Sequence, residues 1–119
     1  MRTLVGVEAF FLPAGAITRR HLSIAKAKLS KFSVVMTLDN WDDHQVQLQS
    51  FFGWKKSHIG HTRKNGNNSY NPFTPQQTQT LINVHELDYE LYCYAKHLAR
   101  SRTSAAKAAM AASKRIVRK

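Results

Sequence analysis

The side chains best suited to chemistry gather between residues 55 and 73. Lys55, Lys56 and Ser57 lead into His58, His61, Thr62, Arg63, Lys64 and Asn65. Such a set can donate hydrogen bonds and positive charge to a phosphate, and an arginine fork does so with two parallel bonds. The same residues also fit a solvated basic loop. His58 and His61 offer two imidazoles, but no third ligand follows at a suitable spacing, so no metal site is expected. Asn67-Asn68-Ser69 matches a glycosylation acceptor, which has meaning only in a chain made in the secretory pathway.

Elsewhere the polar residues point toward structural roles. Asp88 falls on an otherwise apolar helical stripe, where a carboxylate most often pairs with a cation or caps a neighbouring helix. Trp41 and Trp54 flank an expected helix and read as packing side chains. There is no GxxxxGK[ST] loop, no GxGxxG, no nucleophile elbow and no HExxH.

Several elements must position these residues. Thr18 can cap a helix whose stripe is Leu22, Ala25, Leu29 and Phe32, spaced by three and four. Val34-Val35-Met36-Thr37-Leu38 follows, a continuous apolar run that predicts a buried strand at about 34–38. Asp39-Asn40 then offers a cap for a second helix, with Trp41, Gln45, Leu48 and Phe52 on its inner face and Gly53 as its stop. Residues 55–73 lack periodicity and read as a long loop. Thr74-Pro75-Gln76-Gln77 closes that loop with a capping box and a proline at the first helical position. Leu81, Val84, Leu91, Ala95 and Leu98 mark the stripe of the helix that follows. Residues 103–112 are dominated by alanine, with high helix propensity but little to bury.

Length and charge bound the rest. The chain has 119 residues and 43% hydrophobic content, enough for one domain or less and too apolar for wholesale disorder. A single cysteine, Cys93, leaves the redox compartment open. No apolar run is long enough to span a bilayer, and Glu8 breaks the apolar opening, which makes it a poor signal peptide. The formal charge is +11, but eight basic residues lie between Lys96 and Lys119 without one acid. That leaves an ordinary +3 for the first 95 residues.

Taken in order, several blocks resemble a known family. Arg2-Thr3-Leu4-Val5-Gly6 is similar to the RxLxG step of carbohydrate sulfotransferases of the heparan sulfate 2-O-sulfotransferase type. Ala25-Lys26 through Leu29, with Phe32-Ser33-Val34-Val35, resembles the family's helix-to-strand passage. Leu38-Asp39, Leu48 and Phe52-Gly53-Trp54 resemble its acidic turn and the helix ending in LGW. Leu87-Asp88-Tyr89-Glu90-Leu91-Tyr92-Cys93-Tyr94-Ala95 looks like its terminal helix. The likeness covers roughly residues 2–100 and rests on the ordered set rather than on any one block.

The resemblance implies an α/β fold: the C-terminal fragment of a P-loop-like sulfotransferase sheet, mostly helical with the short buried strand. It implies a sulfotransferase portion at 1–102, whereas the basic, alanine-rich helical tail at 103–119, read from composition, has no counterpart in the family. It implies transfer of a sulfuryl group from 3′-phosphoadenosine 5′-phosphosulfate (PAPS) to the hydroxyl of a glycan acceptor, in a type II membrane protein of the Golgi lumen. Late cofactor contacts would carry over to Ser57, His58, Thr62, Arg63 and Lys64. The family's phosphosulfate loop and catalytic base have no counterpart among these residues. Since transfer needs both a base at the acceptor and donors at the leaving phosphate, the chain alone is expected to be inactive. The competing reading is a small basic protein that binds nucleic acid or an anionic membrane through its C-terminal residues.

Overall fold

The computed structural model describes the backbone at residues 1–54 and 73–116 and the side chains at 1–54 and 73–113. Two single turns, α1 (Arg2–Val5) and α2 (Val7–Phe10), are joined at Gly6, whose φ of 106° and ψ of −163° suit only glycine. Arg2 folds back over this bend. Its guanidinium donates to the carbonyls of Ala9 (3.1 Å), Phe10 (3.3 Å), Leu12 and Pro13 (3.1 Å). Ala9 and Phe10 close α2 and Leu12 and Pro13 follow it, so one side chain gathers the carbonyls of the chain at and just past the helix end. The RxLxG step is therefore a local folding unit: Arg2 gathers carbonyls, Leu4 packs on the core and Gly6 makes the bend.

Helix α3 (Arg19–Leu29) starts at Thr18, whose N–H donates to Nδ1 of His21 at 3.0 Å. Leu22 and Ala25 are buried and Leu29 is partly buried, so the expected stripe faces inward as far as the helix lasts. Phe32 lies beyond the helix end and stays 53% exposed. Lys28 donates to the carbonyl of Val5 at 2.6 Å, which fastens α3 to α1.

The expected strand does not form. Among the described residues there is no strand or sheet, so the α/β assignment is corrected to an all-helical arrangement. Residues 34–37 form no regular element, Thr37 has extended backbone, and Val35 and Thr37 are buried. What is missing is a neighbouring strand. The carboxamide of Gln47 takes that place: its Oε1 accepts from Val35 N–H at 3.0 Å and its Nε2 donates to Val35 C=O at 2.8 Å. Two residues on, Thr37 N–H donates to Nδ1 of His44 at 3.1 Å. Side chains thus satisfy backbone groups that a sheet would otherwise pair.

After a 3₁₀ turn at Leu38–Asn40 come α4 (Trp41–His44) and α5 (Val46–Phe52), ended by Gly53 in the left-handed region at φ 67°. The inner face of this pair also departs from expectation. Gln45 is buried as expected, but so are His44 and Gln47, whereas Phe52 is 53% exposed. The reason is the same: this face must serve the polar backbone of 33–37 as well as fill space.

Helix α6 (Pro75–Val84) begins at the expected capping box, with Gln77 N–H donating to Thr74 Oγ1 at 3.2 Å and Thr74 N–H donating to Gln77 Oε1 at 2.9 Å. His85 interrupts the helix, and α7 (Glu86–Ile116) then runs for 31 residues. It packs against α3 and α5 and continues through residues 102 and 103 without a break. Leu91, Ala99, Thr103 and Ala106 form its buried line. The small side chains at 99, 103 and 106 let α5 come close enough for Gln47 Nε2 to reach Ala99 O (3.1 Å) and Thr103 Oγ1 (2.9 Å).

The core that results is thin. Val5, Ala9, Leu22, Ala25 and Leu91 make the main buried cluster. No residue of α6 is buried, and Leu81, Ile82 and Val84 are 41%, 55% and 71% exposed.

Candidate functional site

Ser57, His58, Thr62, Arg63 and Lys64, the expected cofactor contacts, lie outside the described residues, as does Asn67. The structure defines the two shoulders from which that segment departs. On one side, Phe51 and Phe52 meet edge to face at 4.9 Å, and Trp54 stacks on Phe52 at 5.2 Å. On the other, Phe73, Thr74, Gln76, Gln77, Thr80 and Leu81 line an open cleft of about 460 Å³. The shoulders are aromatic and amide-rich, and neither presents a described cation.

Three polar groups elsewhere could carry chemistry, and each is already committed. Asp39 accepts from the Tyr92 hydroxyl and lies 2.9 Å from Lys96 Nζ, which also sits over the Tyr92 ring at 5.4 Å. The Tyr92 hydrogen bond, then the Lys96 ammonium, lowers the Asp39 carboxyl to about 2. The same contact raises Tyr92 and Lys96 above their usual ranges. An aspartate this acidic, a phenol held protonated and an ammonium held charged make a poor general base. Their effect is to tie the 38–40 turn to α7.

Asp88 pairs with the amine of Met1 at 2.9 Å, and His85 Nδ1 is 3.5 Å away. Its carboxyl is lowered, chiefly by the hydrogen bond from that amine. It lines a cleft of about 400 Å³ with Arg2, Gly15, Ile17 and His85, and its side chain is 48% exposed. His44 is 2% exposed, and its Nδ1 is occupied by the Thr37 N–H. Among the described residues no group of His, Cys, Asp and Glu could hold a metal, and no helix is long and apolar enough to cross a membrane.

Three of the four described Lys and Arg side chains of α7 are engaged within the chain. Lys96 pairs with Asp39, Arg102 donates to Ser30 O at 2.7 Å, and Lys107 pairs with Asp43. Arg19 and Lys26 on α3 share Glu90, at 3.0 and 3.8 Å.

The Asp39 cluster has a testable pH signature. A carboxyl lowered by folding adds stability that is full above its unfolded value near 4 and lost as pH falls through about 2. Asp39→Asn should therefore be less stable than the parent chain at neutral pH. The gap should close between about pH 4 and pH 2 in urea melts. A gap independent of pH would place the role of Asp39 outside this cluster.

Gln47, His44 and Arg102 are the residues that sequence reasoning passed over. For the first two a signal was present: polar side chains three apart, directly after an extended run with no second strand to pair it. No protein-family model matches the chain, no curated protein matches it, and no solved structure matches it.

Proposed function

We propose that this chain is the C-terminal portion of a PAPS-dependent sulfotransferase acting on carbohydrate hydroxyls, and that alone it transfers no sulfuryl group. The ordered blocks at Arg2–Gly6, Ala25–Val35, Leu38–Trp54 and Leu87–Ala95 suggest the activity of the whole. The all-helical arrangement offers that assignment no support of its own. What favours incompleteness is the uncovered apolar surface: Phe10, Phe11, Phe51, Phe52, Trp54, Ile82 and Val84 are each about half exposed or more. In favour of inactivity, Asp39, Tyr92 and Lys96 are held by one another, in states unsuited to take a proton from an acceptor hydroxyl.

On this reading PAPS, the glycan acceptor and a Golgi-lumenal setting belong to the complete enzyme. The described residues contribute folding contacts, and Ser57, His58, Thr62, Arg63 and Lys64 remain the proposed cofactor contacts. Binding of nucleic acid or a membrane through the last helix is the lesser reading, because Lys96 and Lys107 already face carboxylates within the chain.

Mapping the 5′ end of the transcript tests the proposal. The expected result is in-frame upstream codons for a glycine-rich loop with Lys and Ser or Thr, the groups that would hold the phosphosulfate. An upstream region with no such loop would contradict it.

A further inference from the structure

Arg102 differs from Lys96 and Lys107 on the same helix. Lys96 and Lys107 each face a carboxylate, whereas the guanidinium of Arg102 has one hydrogen bond, from Nη2 to Ser30 O, and no acidic partner. Its Nη1 is buried without any partner. A partly buried guanidinium with unused donors is unfavourable unless an anion completes it. Beside it lies a pocket of about 250 Å³ bounded by Arg102, Ser33, Ser50, Phe51, Ala105 and Ala106, with Gln47 at its base. The Gln47 amide is already occupied by Val35, Ala99 and Thr103, so the free donors are the guanidinium and the two serine hydroxyls. The alanines leave room in front of them.

We propose that this pocket between α5 and α7 binds a tetrahedral oxyanion, a sulfate or phosphate group, with Arg102 as its counter-charge and Ser33 and Ser50 as hydroxyl donors. Donors on more than one element suit a tetrahedral group, while the Arg fork takes two of its oxygens. Nη1 has no water-accessible surface, so seating the anion requires a small turn of the guanidinium toward the pocket. Phe51, 58% exposed, forms one wall and gives an apolar face to any ring that carries the anion. The site uses none of the proposed cofactor contacts at 57–64 and does not depend on sulfuryl transfer.

The test is an NMR titration of the ¹⁵N-labelled full chain with sodium sulfate, with glucose 6-sulfate and with glucose, at ionic strength held constant by sodium chloride. Both sulfate probes should give saturable shifts at Ser33, Ser50 and Arg102, and glucose should give none. Arg102→Gln should weaken both by about tenfold or more, the loss expected for a charge-assisted contact. Phe51→Ala separates the sources: a loss confined to glucose 6-sulfate means a ring-borne ester, and equal binding of both probes means the free anion. Ser50→Glu keeps Arg102 and supplies a tethered carboxylate, so it should abolish binding and raise Tm. This variant decides the matter if Arg102→Gln fails to fold. Linear, non-saturating shifts, sulfate binding unchanged in Arg102→Gln, or a lower Tm in Ser50→Glu would overturn the proposal.

Discussion

Replacing Gln47 with leucine should destabilise the chain by about 2–5 kcal/mol, out of proportion to a single polar side chain. The two residues are similar in size, so packing changes little and hydrogen bonding changes greatly. Without the carboxamide, Val35 N–H and C=O stay buried and unpaired, and Thr103 Oγ1 loses its donor. Each orphaned buried group costs about 1–3 kcal/mol, against a total stability of roughly 5–15 kcal/mol for an ordinary domain. Gln47→Glu should be no better at neutral pH, because it sets a carboxylate oxygen against the carbonyls of Val35 and Ala99. The partly exposed Gln49, changed to alanine, should stay within about 0.5 kcal/mol of the parent. Urea melts of the three variants measure this. Equal stability of Gln47→Leu and the parent would mean that 33–37 is held by something else.

The second large effect concerns the chain as a whole: in isolation it should unfold gradually and self-associate. Among the described residues eight apolar ones are buried; four are alanines, and Val5, Leu22, Val35 and Leu91 are the larger side chains. A larger apolar side chain contributes about 1.5–3 kcal/mol when buried, and an alanine much less. Meanwhile α6 buries nothing, and the Phe51–Phe52–Trp54 group faces outward. Such a surface drives association unless more polypeptide covers it. Light scattering should show concentration-dependent species, and circular dichroism a broad transition with a slope below that of a compact domain of this length. Changing Phe51, Phe52 and Trp54 to serine should reduce the association without lowering the helical content. A sharp two-state melt of a monomer would identify a self-sufficient domain instead.

How far the sequence disclosed this structure follows from which interactions are local. Thr18 before the Leu22–Ala25–Leu29 stripe, and Thr74-Pro75 with Gln77, announce their helices, because a cap and its partner lie within one turn. Gly53 marked its stop for the same reason. The run at 34–38 misled because an apolar, β-branched segment specifies extended backbone but not what pairs with it. Here the partner is an amide on a helix twelve residues away. The inner face of α4 and α5 was hidden for the complementary reason: His44 and Gln47 look like surface residues until the backbone they serve is known. No glycine or proline marks the break at His85. The burial of Thr103 and Ala106 was equally hidden, since small residues in an alanine-rich stretch promise little core, yet they permit the close approach that Gln47 needs. The expected cofactor contacts, Ser57 to Lys64, fall outside the described residues, so the most functional part of the sequence reading rests on the resemblance alone.

On the proposed reading, this chain is part of a sulfotransferase and transfers no sulfuryl group without the remainder. The most direct measurement is transfer of radiolabelled sulfate from PAPS to a heparan-type glycan, by the 119-residue chain and by the product of the longest in-frame transcript. The expected result is no turnover by the chain alone and turnover by the longer product, reduced when Arg63 and Lys64 are replaced by alanine. Turnover by the isolated chain, or none by a folded longer product, would contradict it.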